Sequence, residues 1–369
     1  MAATRDPVLG DVLSTLRKIA PELTTLIERR YTVLRNVYFA QPLGRRVLAA
    51  RLKWPERMVR KELDFLREQG LVAVDPNGMV VTVAGERVLQ ELKAYVRELH
   101  GLVDLERALA RHLGLRQVIV VPGDCDSDPT VKKDLARATA RYLHEILREG
   151  DILAVAGGTT LAEVAHSLPP AARPFHVTVV PARGGLGEDV EIQANTVAAQ
   201  IAQALGGTYR LLHVPDDLGE DALQTILAEP RVREVVELIR SANVVLHGIG
   251  HAEEMARRRG LGAEPMRLLQ EGHAVGEAFG YYFDRDGRMI YATSSVGLRW
   301  EDLAAIDQVI AVGGGSHKAE AALAVLSSGY QDVFITDEGA GRLMLEILAR
   351  GGRRHREAAV AAGGAEPQG

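Results

Sequence analysis

The sequence predicts an α/β protein in two parts, an N-terminal winged helix-turn-helix followed by a mainly parallel α/β domain. Its 369 residues are two to three times the roughly 100–200 residues of a single domain. A hydrophobic fraction of 47% and a charged fraction of 25% are typical of globular chains and exclude wholesale disorder. The first hundred residues combine helical periodicities with one hairpin pattern, whereas the rest of the chain repeats strands that alternate with helices.

The cysteine content and the apolar stretches exclude several classes of protein. A single cysteine, Cys125, excludes an intramolecular disulfide and a zinc site built from cysteines. Its acidic neighbours disfavour a thiolate, so we expect no nucleophilic role for it. No stretch approaches the roughly 18 uncharged apolar residues of a membrane span, and the N-terminus lacks the apolar segment of a signal peptide. We therefore expect a cytoplasmic protein that has no membrane partner.

Charge is unevenly distributed along the chain. Residues 1–100 carry 17 Lys and Arg against 12 Asp and Glu, a net charge of +5, whereas the other 269 residues carry 27 against 37, a net charge of −10. Eleven basic residues lie from Arg29 to Arg67, and three acidic residues, Glu56, Glu62 and Asp64, oppose them. A basic segment on an acidic body is typical of a nucleic-acid-binding module, although a solvated charged helix surface would give the same count.

The elements of a winged helix follow one another in this basic segment. Arg45–Leu52 has helical periodicity, Pro55 is suited to begin a second helix, and Gly70 is suited to end it. A hairpin pattern around Asn77-Gly78 comes next. We predict that the basic residues of the two helices lie near DNA, namely Arg45, Arg46, Arg57, Arg60 and Lys61. Because some winged helices bind protein or RNA, a protein-binding winged helix on a metabolite sensor stays open as an alternative.

Six later segments share one pattern, in which a short β-branched run leads through a glycine or polar turn into a helical pattern. They begin at Gln117, Ile152, His176, Asn243, Gln308 and Asp332. Continuous apolar strands that alternate with helices predict a mainly parallel sheet covered on both faces. Ligands of such sheets lie beyond the carboxyl ends of the strands, so the turns are where a site is expected.

Two of these turns are rich in glycine, at residues 156–160 and 313–318. Glycines let the backbone approach a phosphate, and the helix N-terminus supplies free N–H groups and partial positive charge. A lysine at the start of a helix, as at Lys318, opposes the helix dipole unless an anion accompanies it. Neither turn is a Walker A loop or a GxGxxG motif, so the motifs do not indicate a nucleotide site.

Other polar residues follow the remaining strands. Arg183 follows the third strand and is suited to binding a phosphate. Arg258 stands in a run of three arginines that equally fits an ordinary charged helix, and Glu277 is either an acceptor for sugar hydroxyls or a surface carboxylate. His247 and His251 have the spacing of metal ligands, but no helix between them would align the rings, so we expect no metal site and no cofactor.

Several stretches resemble the SorC family of bacterial transcriptional regulators, and within it the central glycolytic genes regulators. The first stretch is Gly44-Arg45-Arg46 together with Glu56-Arg57 and Phe65-Leu66-Arg67-Glu68-Gln69, and the second is Asn77-Gly78-Met79. The other two are Gly157-Gly158-Thr159-Thr160 and Gly313-Gly314-Gly315-Ser316-His317-Lys318. The resemblance covers about residues 5–350. It implies a second domain related in fold to sugar-phosphate isomerases and deaminases of the glucosamine-6-phosphate deaminase type. It also implies a repressor whose inducer is a phosphorylated sugar, in this branch fructose 1,6-bisphosphate, and whose targets are central glycolytic genes.

The resemblance also implies roles for individual residues. The set that looks like the phosphate-binding residues is Gly158, Thr159, Thr160, Arg183 and Lys318. Arg258 is the candidate for the other phosphate of the sugar, and Glu277 the candidate for its hydroxyls. Trp54 departs from the small or aliphatic residue expected in the turn of the helix-turn-helix, which bears on the operator sequence and not on DNA binding.

We expect four segments along the chain. They are a winged helix-turn-helix over residues 1–90, a linker helix over 91–115, an effector-binding domain over 116–350 and a disordered tail over 351–369. The expected partners are operator DNA and a phosphorylated sugar, and the expected assembly is a homodimer or a homotetramer. The alternative is a sugar-phosphate isomerase or deaminase with an appended winged helix. The residue types that such chemistry needs as a general base are present at Glu277, His317, Asp337 and Glu338.

Overall fold

A computed structural model describes residues 15–16, 18–171, 173–185, 189–216 and 219–363, with only the backbone described at residues 220 and 351–363. The described residues form two compact units. The first contains the residues up to Asp104 together with Val121–Lys133, and the second contains Leu105–Val120 and the residues from Asp134 onward. None of the described helices is both long enough and apolar enough to cross a membrane. The start of the predicted first domain, residues 1–14, lies outside the described residues.

The first unit contains the winged helix-turn-helix that the sequence predicts. Its elements in chain order are α1 (Pro21–Ala40), α2 (Arg45–Leu52), α3 (Glu56–Glu68), β1 (Val72–Asp75), β2 (Gly78–Val81) and α4 (Val83–Leu99). The strands β1 and β2 pair antiparallel, with Asp75 opposite Gly78 at the turn. A single apolar core joins these elements, and Leu34, Leu48 and Leu63 are buried in it.

The helix α3 forms where it does because of its apolar spacing. Val59, Leu63 and Leu66 recur at steps of three and four residues and are buried, whereas Arg57 and Lys61 on the opposite face are exposed. This division leaves a basic helical face at the surface of the first unit.

The segment Val121–Lys133 belongs to the first unit, although the predicted boundaries place it in the effector domain. The guanidinium of Arg35, on α1, forms a buried ion pair with Asp128. Asn36 donates a hydrogen bond to the same carboxylate at 3.1 Å, and the Lys133 ammonium donates to the Phe39 carbonyl at 2.8 Å. These partners are about ninety residues apart in the chain, so no local pattern could indicate that the segment packs there.

From residue 102 onward the chain forms mostly alternating helices and strands. In chain order these are α5 (Leu102–Leu113), β3 (Gln117–Val121), α6 (Thr130–Ile146), β4 (Ile152–Val155), α7 (Thr159–Ser167), β5 (Thr178–Pro181), α8 (Ala194–Leu205), β6 (Thr208–Tyr209), α9 (Glu220–Ala228), α10 (Pro230–Arg240), β7 (Val244–Gly248), β8 (Gly250–His251), α11 (Ala252–Arg258), α12 (Ala263–Glu271), β9 (Gly276–Ala278), β10 (Tyr281–Phe283), β11 (Met289–Ala292), β12 (Gln308–Val312), α13 (Ala319–Leu326), β13 (Val333–Asp337) and α14 (Glu338–Gly363). Short 3₁₀ helices lie at Val190–Ile192, Trp300–Ala305 and Ser316–Lys318.

Seven strands form the main sheet, in the order β3-β13-β12-β7-β4-β5-β6. The pairs along the row from β13 to β6 are parallel. All six predicted strands lie in this sheet, and the short edge strand β6 is an addition that the sequence reading did not include. The α/β fold class and the mainly parallel sheet are therefore confirmed.

The order of the strands reverses between β4 and β7. From β4 the chain proceeds outward through β5 to β6, and it then returns to β7 and proceeds the other way through β12 to β13. Such a reversal leaves a crevice at the carboxyl ends of the two central strands, where open α/β sheets bind ligands. A second sheet of four antiparallel strands, in the order β11-β10-β9-β8, lies in the same unit.

Two regions bear on the predicted boundaries. Where the linker helix was predicted, α4 and α5 are separate helices that break at Gly101, whose φ is +62°. The helix α14 continues to Gly363 and so departs from the predicted disordered tail over residues 351–363. Its composition explains this, because four alanines lie between residues 358 and 362 and alanine has the highest helix propensity. Residues 364–369 lie outside the described residues.

Candidate functional site

A cleft opens at the carboxyl ends of β12, β7, β4 and β5, which are neighbours in the main sheet. Its empty volume, with the open mouth included, is about 910 Å³. All seven residues predicted to bind the phosphosugar line this one cleft, namely Gly158, Thr159, Thr160, Arg183, Arg258, Glu277 and Lys318. They come from five separate stretches of sequence, and the crevice between β4 and β7 brings them together.

The first glycine-rich turn joins β4 to α7. A Cβ atom on Gly157 would lie 2.6 Å from the Ile192 carbonyl oxygen, so only glycine fits there. Gly158 has a φ of +117° and donates its N–H to the same carbonyl at 2.8 Å. The N-cap residue of α7 is Gly158, which has no side chain with which to cap the start of the helix. The partial positive charge of the helix terminus therefore faces the cleft, as an anion site requires.

The second glycine-rich turn follows β12 and ends in Lys318. Gly315 has a φ of +99°, and its N–H donates to the buried carboxylate of Asp337 at 2.7 Å. The half-buried ammonium of Lys318 donates to the Ile249 carbonyl oxygen at 3.3 Å. Among the described residues no carboxylate forms an ion pair with this ammonium. Lys318 therefore brings an uncompensated positive charge to the cleft.

Four buried charged residues form a network at the base of the cleft. Arg183 donates to one carboxylate oxygen of Asp216 through Nε at 3.1 Å and through Nη2 at 2.7 Å. Arg259 bridges the two acids, donating to Asp216 Oδ2 at 2.5 Å and to Glu277 Oε1 at 2.8 Å. The hydroxyl of Ser295 also donates to Asp216, at 2.6 Å. The paired charges cancel, and this compensation is what allows them to be buried.

The same network acts on the pKa values of its members. Burial lowers the pKa of Arg183, and the neighbouring carboxylate of Asp216 opposes that effect without cancelling it. Burial also disfavours the charge on Arg259, but Glu277 and Asp216 outweigh it and raise the pKa of this guanidinium. In the described part of the chain the Nη1 group of Arg183 has no hydrogen-bond partner. This group is a donor that a bound ligand can satisfy.

Glu277 has a structural task as well as a place in the cleft. Its Oε1 atom accepts the Gly280 N–H at 2.6 Å in addition to the Arg259 guanidinium. These bonds hold a tight turn in which Phe279 has a φ of +53° although it is not glycine. The ring of Phe279 lines the cleft and contacts the ring of His247, with centroids 4.8 Å apart. Phe279 thus gives the cleft an apolar wall.

His247 and His251, which have the spacing of metal ligands, have different surroundings in the structure. His247 is fully buried, and burial lowers its pKa to about 4. His251 instead packs against His317, with ring centroids 5.3 Å apart. In the part of the chain that the structure describes, no group of three or more His, Cys, Asp or Glu side chains is arranged to hold a metal ion.

The five residues predicted to lie near DNA are all exposed in the first unit. Arg45 and Arg46 lie in the first turn of α2, and the other three are on the outer face of α3. Glu62, which opposes them in the sequence count, is buried and pairs with Arg29 and Arg30 at 3.4 and 3.2 Å. The negative charge of Glu62 is therefore compensated by two arginines of α1, and Glu62 does not pair with the five predicted residues.

Comparison with known proteins finds a matching family for each part of the chain. Residues 97–346 match the family model of a sugar-binding domain, and residues 26–96 match the CggR N-terminal DNA binding domain. The chain is 43% identical to the central glycolytic genes regulator of Priestia megaterium over 335 residues, which cover 90% of this chain and 98% of that protein. It is 41% identical to the central glycolytic genes regulator of Bacillus subtilis over 337 residues, 91% of this chain and 99% of that protein.

The solved structures agree with these matches. A protein from Enterococcus faecalis that is described as a SorC family transcriptional regulator superposes with a TM-score of 0.62 at 38% identity, over 66% of this chain and 99% of that one. The chain belongs to the SorC family of transcriptional regulators. Within that family it groups with the central glycolytic genes regulators. The resemblance that the sequence motifs indicated is confirmed.

This regulator is therefore a DNA-binding and sugar-binding protein and not an isomerase or deaminase. The side chains that kept the enzyme alternative open include two with roles in the fold. Asp337 accepts the backbone N–H groups of Gly315 and Ala340 at 2.7 and 2.9 Å. Glu277 is committed to Arg259 and Gly280.

Sequence reasoning missed three residues of the regulator's cleft region. Arg259 differs from the predicted Arg258 by one position, which on a helix is a rotation of about 100° and decides between buried and exposed. The run of three arginines was the available signal, but it did not say which one turns inward. Asp216 lies in a loop without a recognisable motif, and Phe279 adopts a backbone conformation that no local pattern predicts.

Proposed function

We propose that this regulator is a repressor of central glycolytic genes and that a phosphorylated sugar, fructose 1,6-bisphosphate, controls its binding to operator DNA. The observation that carries the proposal is the cleft, which is lined by a helix N-terminus, by Arg183 and Arg258, and by Lys318, whose ammonium pairs with no carboxylate of the described residues. The names of the two bacterial relatives support the choice of target genes.

The sugar binds with its two phosphates at different parts of the cleft. One phosphate lies against Gly158, Thr159 and Thr160, where the helix terminus and two hydroxyls supply donors. Arg183 donates a hydrogen bond through Nη1, and Lys318 supplies the net positive charge. The other phosphate lies at the exposed guanidinium of Arg258. Glu277 accepts hydrogen bonds from hydroxyls of the sugar.

The DNA is bound by the basic face of the first unit. The helix α3 enters the major groove, where its side chains read base edges, while basic residues of α2 and α3 anchor the phosphates. Because operators of such proteins are usually two-fold related, the regulator binds as a homodimer or a homotetramer. It acts in the cytoplasm, where the operator and the phosphorylated sugars are both present.

The sugar changes DNA binding by favouring one arrangement of the protein. A ligand shifts an equilibrium between two states only by the difference between its affinities for them. A coupling of about 1–3 kcal/mol between the sugar site and the DNA site would change operator affinity roughly 5- to 150-fold. No contact of the sugar with DNA is needed.

The test is fluorescence anisotropy of labelled DNA from upstream of the regulator's own gene cluster, titrated at two salt concentrations with and without fructose 1,6-bisphosphate. We expect tight binding that weakens with salt and that the bisphosphate weakens further or makes less cooperative. Binding that ignores this sugar but responds to another phosphorylated sugar would change the effector. Binding without salt dependence would contradict the DNA-binding role and favour a winged helix that binds protein.

A further inference from the structure

The turn between α2 and α3 contains a lysine where the backbone favours glycine. The helix α2 ends in a pair of hydrogen bonds in which Lys53 N–H donates to the Ala50 carbonyl at 3.2 Å and Trp54 N–H donates to the Ala49 carbonyl at 3.0 Å. This pair of bonds is the Schellman motif, and it places its penultimate residue in the left-handed conformation. Lys53 accordingly has φ +54° and ψ +34°.

Other helices of this chain end in the same motif with glycine at that position. The corresponding residues are Gly70 after α3, Gly206 after α8 and Gly260 after α11, with φ values of +71°, +67° and +64°. After α12 the position is occupied by His273, with a φ of +51°. A side chain at this position strains the backbone and glycine does not. Glycine at position 53 would therefore fit this backbone conformation at least as well as lysine does.

No contact with a residue that the structure describes explains the side chain of Lys53. It is exposed, and its ammonium makes no hydrogen bond or ion pair with any residue that the structure describes. The ammonium of Lys53 is therefore available to a partner outside the chain.

The surroundings of Lys53 point to an anionic partner. The turn directly precedes α3, whose first residues approach the bases when such a helix lies in the major groove, so the turn lies close to the DNA backbone. The hairpin that forms the wing contains no lysine or arginine between Leu71 and Val83, and its tip carries Asp75. The cationic side chains available to phosphates on this surface are those of α2, the turn and α3.

We propose that Lys53 binds a backbone phosphate of the operator and that this contact is the reason for a lysine in a left-handed position. The inference rests on the proposed DNA binding and adds a contact outside the five residues predicted from the sequence. A phosphate contact carries no sequence information, so Lys53 contributes equally to the operator and to unrelated DNA.

The test compares Lys53→Gly, Lys53→Ala and Lys53→Arg in the full-length protein, by salt-dependent anisotropy on operator and unrelated DNA and by thermal unfolding. Lys53→Gly should weaken binding to both DNAs by the same factor, about eightfold per bound subunit at about 0.1 M salt. It should also reduce the slope of log K against log[salt] by about 0.9 per bound subunit. Its Tm should equal or exceed that of the wild type by up to about 4 °C, because the strain is relieved. Lys53→Ala should lose the same affinity without the gain in Tm, and Lys53→Arg should bind as the wild type does.

The matched control is His273→Gly, which relieves the same backbone strain in the second unit and should leave DNA binding unchanged. An unchanged affinity and salt slope in both Lys53→Gly and Lys53→Ala would overturn the inference while leaving the DNA-binding role intact. A loss of operator binding with normal binding to unrelated DNA would also overturn it, because that pattern belongs to a base contact. If the wild-type protein itself shows no salt-dependent DNA binding, the proposed function fails with it.

Discussion

The charged residues of the cleft differ in whether their charge is compensated within the described part of the chain. The two arginines and two acids at the base compensate one another, so a dianionic ligand gains little net charge attraction from them. Lys318 has no such partner among the described residues, and its ammonium is half buried, where its charge is only partly screened. The response to the sugar should therefore depend strongly on this one residue.

Lys318→Ala tests that dependence. We expect the variant to lose about 10- to 100-fold in affinity for the sugar phosphate, the value of one hydrogen bond to a charged group, and to lose the response of DNA binding to the sugar. Affinity for the operator without sugar should stay at the wild-type level. Isothermal titration calorimetry and anisotropy measure the two quantities. Arg267→Ala is the control and should behave as the wild type, because Arg267 is exposed and its ion pairs among the described residues are with Glu264 and Glu271. A normal sugar response in Lys318→Ala would place the phosphate site elsewhere.

His247 makes the stability of the second unit depend on pH. Burial lowers its pKa in the folded state from 6.5 to about 4, so the unfolded chain binds more protons between these values. The contribution of neutral His247 to the free energy of unfolding is therefore fully present above about pH 6.5. It is lost as the pH falls towards 4, and the free energy of unfolding decreases by about 3 kcal/mol in total. Denaturant unfolding at several pH values should show this slope, and His247→Gln should flatten it. The exposed His112 is the control, and a slope unchanged in His247→Gln but absent in His112→Gln would contradict the assignment.

At the scale of elements, steric fit positions the β4–α7 turn, at which the proposed phosphate site lies. Gly157 packs against the Ile192–Ala194 backbone, and a Cβ atom there would lie 2.6 Å from one backbone atom and 2.9 Å from another. The uncapped start of α7 is held in place by this close approach and by the N–H of Gly158. The glycine-rich sequence is thus a packing requirement as well as a way to approach a phosphate.

Gly157→Ala should displace this turn. We expect a loss of about 1–3 kcal/mol in the free energy of unfolding from overpacking, together with weaker sugar binding because the helix terminus moves. Chemical denaturation and calorimetry measure the two effects. Gly262→Ala, at a position where an added Cβ meets no atom within 4 Å, should change stability by less than about 1 kcal/mol and leave sugar binding intact. Equal effects of the two substitutions would show that the close approach is not what fixes the turn.

At the scale of the whole molecule, the two binding functions lie in separate units of one chain. The peptide chain passes between the units at residues 104–105, 120–121 and 133–134. The segment between the last two positions follows β3 of the main sheet and is held to α1 by the ion pair of Arg35 with Asp128. The chain thus runs directly from β3 of the main sheet into a segment that is packed on α1.

Coupling between two sites must be reciprocal. If the sugar lowers operator affinity by a given factor, bound operator must lower the affinity for the sugar by the same factor. We expect titrations of sugar into free protein and into the protein–operator complex to give dissociation constants in that ratio. A sugar affinity that ignores the operator, in a protein whose DNA binding responds to the sugar, would mean that the sugar acts on assembly or on another species.

The local patterns of the sequence by themselves determined the kinds of element and much of the site. Helical spacing around Leu63, the Asn77-Gly78 turn and six apolar runs predicted the winged helix and the parallel strands, because period and turn chemistry depend on neighbouring residues. The glycine-rich turns predicted where ligand residues would meet, because the carboxyl ends of parallel strands share one edge.

Only the tertiary structure decided which distant groups pair. Arg259 and not Arg258 faces inward, a choice that depends on one step of helix rotation. Arg259 then bridges Asp216 and Glu277, which are far apart in the sequence. The segment Val121–Lys133 likewise packs on helix α1, about ninety residues earlier in the chain. Buried charges select their partners by distance and desolvation in the folded chain. These quantities exist only after the chain has folded, and local sequence therefore does not encode them in a readable form.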